Sequence, residues 1–130
     1  MDKLELKQKL DKITFEVTQN AGTEPPNSGK YNDFFSSGYY HCICCSNTLF
    51  DSRSKFKSLS GWPSFFETFN KSCVRHIVDN SYGMSRVEVV CAKCSSHLGH
   101  VFDDGPPPTG KRYCINSVAL NFTDKKKDEL

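Results

Sequence analysis

The chain has 130 residues, and its 17 Lys plus Arg against 15 Asp plus Glu leave a net charge of +2. That near-balance offers no strongly basic face for nucleic acid or an anionic membrane, and no apolar run reaches the roughly 20 residues of a membrane span. A chain of this length makes one domain, residues 1–130, whose limited core often leans on a metal or disulfides. Its seven cysteines cannot all be paired with one another.

The opening "MDKLELKQKLDK" is too charged for a secretory signal. It reads as a helix over residues 2–11, with Asp2 and Glu5 spaced as a capping box and Leu6, Leu10 and Ile13 at helical intervals. Residues 13–17, "ITFEV", alternate as a strand would, and a second short helix fits nearly as well. "GTEPPNSGKYND" is a loop, so residues 1–37 form a helical and irregular N-terminal segment. From residue 38 the pattern changes to short strands: "GYYHCI", then "SCVRHIV" and "SRVEVV" around the turn "DNSYG". "DDGPPPTG" is a long turn, and "RYCINSVALNF", residues 112–122, reads as one last strand. The charged tail, residues 123–130, is expected to be mobile.

Two C-x-x-C pairs, Cys42/Cys45 and Cys91/Cys94, carry the metal signal. A two-residue gap lets a tight turn aim both sulfurs at one point, and two such knuckles make the closed four-thiolate shell of structural zinc. Cys42/Cys44 has a one-residue gap that leaves the second knuckle unmatched, so Cys45 is taken as the ligand and Cys44 as free. Without an export signal the expected compartment is the reducing cytoplasm, where metal ligation is favoured over disulfides. The last four residues, "KDEL", read instead as an endoplasmic-reticulum retrieval signal, which serves only an exported chain.

Cys114 stands apart from both pairs. On a continuous strand it shares a face with Arg112 and Asn116, and Val118, Leu120 and Phe122 of the same face anchor the far end in the core. An adjacent arginine favours the nucleophilic thiolate. Asn116 could donate to an oxyanion or orient a neighbour. His97 and His100 flank Gly99 in "SHLGHVFDDG"; an i, i+3 pair on a straight strand faces opposite ways, and Gly99 permits the kink that turns both inward. They are candidates for acid–base work beside a thiol. Trp62, in "SGWPSFF", is either a core plug or the rigid wall of an apolar pocket, supported by Phe65 and Phe66. A small buried thiol is the bland alternative for Cys114.

"GWPSFF", "CAKCSSHLGHVFDDGPPPTGKRYCINS" and the two C-x-x-C pairs resemble the B-type methionine sulfoxide reductases, which act on the R epimer; the likeness runs from about residue 4 to Phe122. The resemblance implies a mainly β fold of two antiparallel sheets, zinc-stapled and tent-like, with short N-terminal helices, and it favours a helix over residues 13–17. It implies Cys114 as the catalytic thiol, with His97, His100, Arg112 and Asn116 as a polar wall, and Trp62, Phe65 and Asp104 on the substrate side. It also implies one structural zinc on Cys42, Cys45, Cys91 and Cys94. The expected partners are oxidised proteins carrying methionine-R-sulfoxide and a thiol reductant such as thioredoxin, with the chain a monomer. Ser60 departs from the pattern, because many members carry a resolving cysteine there. Cys73 and Cys44 are the remaining internal candidates, and direct reduction of Cys114 by an external thiol is the expectation. The rival reading is a non-catalytic zinc-stapled β module that binds another protein; it leaves Arg112, Cys114 and the histidine pair unexplained.

Overall fold

A computed structural model describes residues 3–125. Asp2 of the expected capping box and the KDEL ending lie outside the described residues. Two short helices open the chain, α1 (Lys3–Lys9) and α2 (Lys12–Asn20). Residues 13–17 are therefore helical, and the alternation read there as a strand is overruled. Asp11 caps α2, its side chain accepting from the Thr14 N–H at 2.9 Å, and Ala21 ends it in the left-handed conformation. Val17 and Thr18 are buried beneath the helix, and Gln19 Nε2 donates to Ser96 Oγ at 3.1 Å. No helix among the described residues is long and apolar enough to cross a membrane.

Nine strands follow among the described residues: β1 (Gly38–Cys42), β2 (Thr48–Asp51), β3 (Lys55–Phe56), β4 (Ser64–Phe65), β5 (Val74–Asp79), β6 (Arg86–Cys91), β7 (His97–Phe102), β8 (Arg112–Ile115) and β9 (Leu120–Asp124). They form two antiparallel sheets, a three-stranded one in the order β2-β1-β9 and a six-stranded one in the order β3-β4-β8-β7-β6-β5. The sheets share an aromatic core. Phe50 stacks on Phe65 with centroids 4.2 Å apart, Tyr40 meets Phe65 edge-on at 5.0 Å, and Tyr113 meets Phe50 at 5.9 Å. Tyr40, Phe50 and Phe65 are wholly buried.

The last strand departs from its sequence reading. Residues 112–122 are two strands in two different sheets, separated by a 3₁₀ turn over Ser117–Ala119. The alternation that seemed continuous is reset at the turn, so Val118, Leu120 and Phe122 do not share a strand face with Cys114. The chain crosses between sheets here because Ile43 N–H takes the Ala119 carbonyl at 2.9 Å while β9 pairs along β1. Thr123 and Asp124, expected in the tail, complete β9, and the Lys125 N–H donates to the Ser37 carbonyl.

β7 contains the feature that places the histidines. Val89 opposes Gly99, but the next residue of β6, Val90, opposes His97. One step on β6 thus spans two on β7, a bulge at Leu98. Glu88 and Val90 face the same way, and so do their partners His100 and His97. The kink expected at Gly99 is this bulge, and Gly99 has a further duty. A Cβ there would stand 2.0 Å from the Cys114 carbonyl oxygen, so only glycine lets β8 lie against β7 in this register. Gly99→Ala should destabilise the protein by at least about 1–3 kcal/mol, the usual range for overpacking, as read from denaturant melts; unchanged stability would mean that β8 can move away.

Candidate active site

Register assembles the site. Ser64 opposes Cys114, Cys114 opposes His100, and His100 opposes Glu88. Opposed residues share a face, so β4, β8, β7 and β6 present one polar row on the face away from the aromatic core. Arg112, two residues from Cys114 and opposite Phe102, continues the row. A cavity of about 260 Å3 opens over it, lined by Cys114, His100, Arg112, Asn116, Ser60 and Trp62, with Thr23 and Arg86 at its margin.

Cys114 is half-buried. Burial pushes its thiol up, against the Ser60 hydroxyl first and then the Arg112 guanidinium, which pull it down. Arg112 therefore acts in the expected direction but is outweighed by desolvation. Ser60 Oγ lies 4.0 Å from Cys114 Sγ. Behind it Ser58 Oγ is 2.8 Å from Ser60 Oγ and 2.7 Å from Ser64 Oγ. Three hydroxyls thus back the sulfur and can reorient their protons toward it.

Arg112 is engaged on its other side. Its Nε donates to Asp104 Oδ1 at 2.9 Å and its second nitrogen to Oδ2 at 3.2 Å, while its guanidinium sits 4.5 Å from the centroid of the Phe102 ring. The pair holds the Asp104 carboxyl below the usual range. Asp104 is exposed and does not line the cavity; it braces Arg112 from outside.

Asn116 is buried, and both ends of its amide are engaged. Its Oδ1 accepts the Glu24 N–H at 2.9 Å, and its Nδ2 donates to the Leu98 carbonyl at 2.9 Å. These bonds let it orient its neighbours, and its second Nδ2–H remains for the cavity it lines, so both roles weighed for it stand. Glu24 completes the clamp: its carbonyl accepts from Trp62 Nε1 at 3.0 Å, and its Oε1 accepts the Val118 N–H at 3.0 Å. One loop residue thereby ties Trp62, Asn116 and the start of the 3₁₀ turn together. Burial raises the Glu24 carboxyl.

Trp62 forms a cavity wall, whereas Phe65 does not reach it. Phe65 points the other way, into the stack with Phe50. The histidines separate as well. His100 lines the cavity; His97, 4% exposed, sits beside it with ring centroids 5.5 Å apart. Cys73 and Cys44 are both buried away from the cavity. Cys73 Sγ lies 3.3 Å from the Asn70 carbonyl, and Cys44 Sγ lies 3.5 Å from Gln19 Nε2 under α2.

At the far end the two knuckles repeat one hydrogen-bond pattern. Ser46 N–H donates to the Cys42 carbonyl and Ser95 N–H to the Cys91 carbonyl, both at 2.8 Å. Ser46 and Ser95 both take positive φ, 66° and 64°. The four sulfurs of Cys42, Cys45, Cys91 and Cys94 lie within 4.8 Å of one another, so together they could hold a metal ion. The Cys42–Cys94 and Cys45–Cys91 separations are 3.6 and 3.5 Å. A tetrahedral zinc with bonds of about 2.3 Å needs edges of about 3.8 Å, so the shell fits. Cys44 is outside it.

A thiol among hydroxyls, an arginine, a histidine and an indole wall, in a β fold with paired cysteine knuckles, defines a thiol-dependent catalyst with a separate cysteine cluster that could hold a metal ion. The SelR domain family profile matches residues 10–124. A peptide methionine sulfoxide reductase MsrB of Pseudomonas savastanoi pv. phaseolicola is 55% identical over 131 residues, covering 97% of this chain and 100% of that protein. One of Pseudomonas fluorescens is 56% identical over 121 residues, 93% of each chain, and one of Escherichia coli is 50% identical over 125 residues, 96% of this chain and 91% of its own. The chain belongs to the SelR domain family.

"SRVEVV" read only as a strand, and nothing in the sequence paired its Glu88 with His100. Glu24 was unreadable, since a glutamate between a threonine and two prolines looks like a solvated loop. If Asn116 holds the loop as its bonds indicate, Asn116→Ala should cost about 1–3 kcal/mol by stranding the buried Glu24 N–H. Denaturant melts check this, and an unaltered midpoint would return Asn116 to a purely substrate-facing role.

Proposed function

We propose that this chain reduces methionine-R-sulfoxide in proteins, and the free amino acid, to methionine, acting as one reductase domain. The observation that carries the reading is the convergence of Cys114, His100 and Trp62 on one cavity, in a chain of the SelR family. Cys114, as thiolate, attacks the sulfoxide sulfur. The oxygen takes a proton on the His100 side and leaves the substrate for Cys114, giving a sulfenic acid and free methionine. The thiolate, the sulfoxide and one proton balance these products. Arg112 and the serine hydroxyls lower the cost of the thiolate, and Trp62 offers apolar contact to the S-methyl group. A mere binding module would not need a half-buried thiol set among these groups.

Regeneration follows from the surroundings of Cys114. Its nearest pocket neighbour of the resolving kind is the hydroxyl of Ser60, and Cys73 and Cys44 are packed elsewhere. Two external thiols, such as those of thioredoxin, then reduce the sulfenic acid, yielding a disulfide on the reductant and water. Cys42, Cys45, Cys91 and Cys94 hold one zinc, whose closed shell has a structural role. Seven unpaired cysteines suit a reducing compartment such as the cytoplasm.

Cys114→Ser should abolish turnover with dithiothreitol and leave the far-UV spectrum intact; retained activity would sink the mechanism. In the same study, parent enzyme given one equivalent of substrate and no reductant should yield a dimedone adduct on Cys114. A Cys73–Cys114 or Cys44–Cys114 disulfide as main product would replace direct reduction with internal resolution. Metal analysis should find one zinc per chain, with Cys94→Ser losing both metal and cooperative unfolding; full activity in metal-free protein would remove zinc from the account.

A further inference from the structure

Each histidine of the site carries a carboxylate that the reaction scheme above leaves unused. His100 Nε2 is 2.8 Å from Asp79 Oδ2, and His97 Nδ1 is 2.6 Å from Glu88 Oε2. The two carboxylates come from β5 and β6, beyond the histidines as seen from Cys114. They line a second cleft of about 540 Å3 together with His97 and Arg86. His100, Arg86 and Thr23 line both this cleft and the cavity over Cys114, so His100 is a shared wall between them. His97 Nε2 is buried and has no hydrogen-bond partner among the described residues.

We propose that Asp79 and Glu88 are positioning residues that hold His100, with His97 fixed beside it, as the proton store for the sulfoxide oxygen, and that the second cleft is where solvent recharges it. The inference rests on reading the cavity as a sulfoxide reductase site. Each turnover from the thiolate draws one proton to the departing oxygen, so the site must hold a proton and regain it. With Nε2–H directed at Asp79, a neutral His100 has only a bare Nδ1 left and can donate nothing further. With Asp79 2.8 Å away to take the Nε2–H, a ring that also carries a proton on Nδ1 has that second N–H free to give. Glu88 fixes the His97 tautomer by bonding its Nδ1 and stands directly opposite His100. Burial, against the pull of Glu88, pushes the His97 ring below the usual imidazole range and so favours its neutral form.

The charged groups around the pair are few. β5 supplies Asp79, β6 supplies Arg86 and Glu88, and β8 supplies Arg112 and Cys114; the covering residues 20–23 bring no charge. Arg86 opposes the imidazolium, yet one of its nitrogens is 3.4 Å from the same Asp79 oxygen, so it also fixes that carboxylate in place. Bonds from Ser81 first and His100 next hold Asp79 below the usual carboxylate range, keeping it ionised wherever the enzyme works.

The test compares kcat/KM against pH for the parent, Asp79→Asn, Asp79→Glu and Glu88→Gln, with a methionine sulfoxide substrate and dithiothreitol. Asp79→Asn preserves shape and removes charge. It should lower kcat/KM about tenfold near neutral pH, part of the roughly 10²–10⁴ that acid catalysis supplies, and regain most of it toward lower pH. Glu88→Gln should move the profile in the same direction, and Asp79→Glu should keep the parental shape. Asp79 lies on the edge strand β5, so folding is expected to survive; far-UV spectra of each variant check it. A loss equal at every pH, or no loss, overturns the inference. An inactive parent would overturn the functional reading instead. Imidazole nitrogen NMR of substrate-free protein separates the two: the His100 Nε2 signal should move in Asp79→Asn as its carboxylate partner is lost, and coincident spectra would reject the positioning role whatever the activity.

Discussion

The site depends on how closely β8 lies against β7. The Cys114 carbonyl comes so near Gly99 that no side chain fits there, and this contact fixes which residues oppose one another across four strands. A slip by one residue would exchange the faces of Cys114 and Tyr113, sending the thiol into the aromatic core and the phenol into the cavity. Tyr113 is held against Phe50 on the core side, so the packing beneath the sheet and the chemistry above it enforce the same register. The bulge at Leu98 then adds His97 to the polar face without disturbing the pairs beyond it.

A second layer of constraint comes from outside the sheet. The loop after α2 reaches across the cavity, and Glu24 grips Trp62, Asn116 and the 3₁₀ turn through its backbone and side chain. An indole on a surface turn would otherwise be free to rotate; here its ring nitrogen has a partner and its plane is set. The knuckles work at the opposite end. One lies in the β1–β2 connection of the small sheet and the other in the β6–β7 connection of the large one. Bringing their sulfurs together therefore joins the two sheets where the aromatic stack does not reach.

Much of this was legible in the chain. The knuckles announced themselves by spacing, β5, β6 and β8 of the large sheet by their strand-like runs, and the polar cluster by the company of Cys114. The misreadings have physical causes. Residues 112–122 kept an unbroken alternation through a change of sheet, because a 3₁₀ turn can preserve an apolar pattern while redirecting it. Phe65 was grouped with Trp62 by proximity in sequence, although Pro63 and the short β4 turn the two toward opposite sides. Glu24, Asp79 and Glu88 stayed hidden for a common reason: a carboxylate's meaning lies in what it opposes, and that partner stands 94 residues away for Glu24–Val118 and across strand pairings for the other two.

Ser60 beside Cys114 also sets a clock. An enzyme with a thiol at that position closes a disulfide within its own pocket, at a rate independent of any partner. On the proposed direct reduction, a hydroxyl there leaves the oxidised sulfur in place until a reductant collides with it. At association rates of about 10⁵–10⁷ M⁻¹s⁻¹ and reductant on the order of ten micromolar, that wait is roughly 0.01–1 s. During it the sulfenic acid stands open to further oxidation, whose next product is not recovered by simple thiols. The half-buried placement of Cys114, in a cavity little larger than one side chain, then acts as a size filter on attackers, and the supply of reductant governs how long each molecule of enzyme lasts under oxidative load.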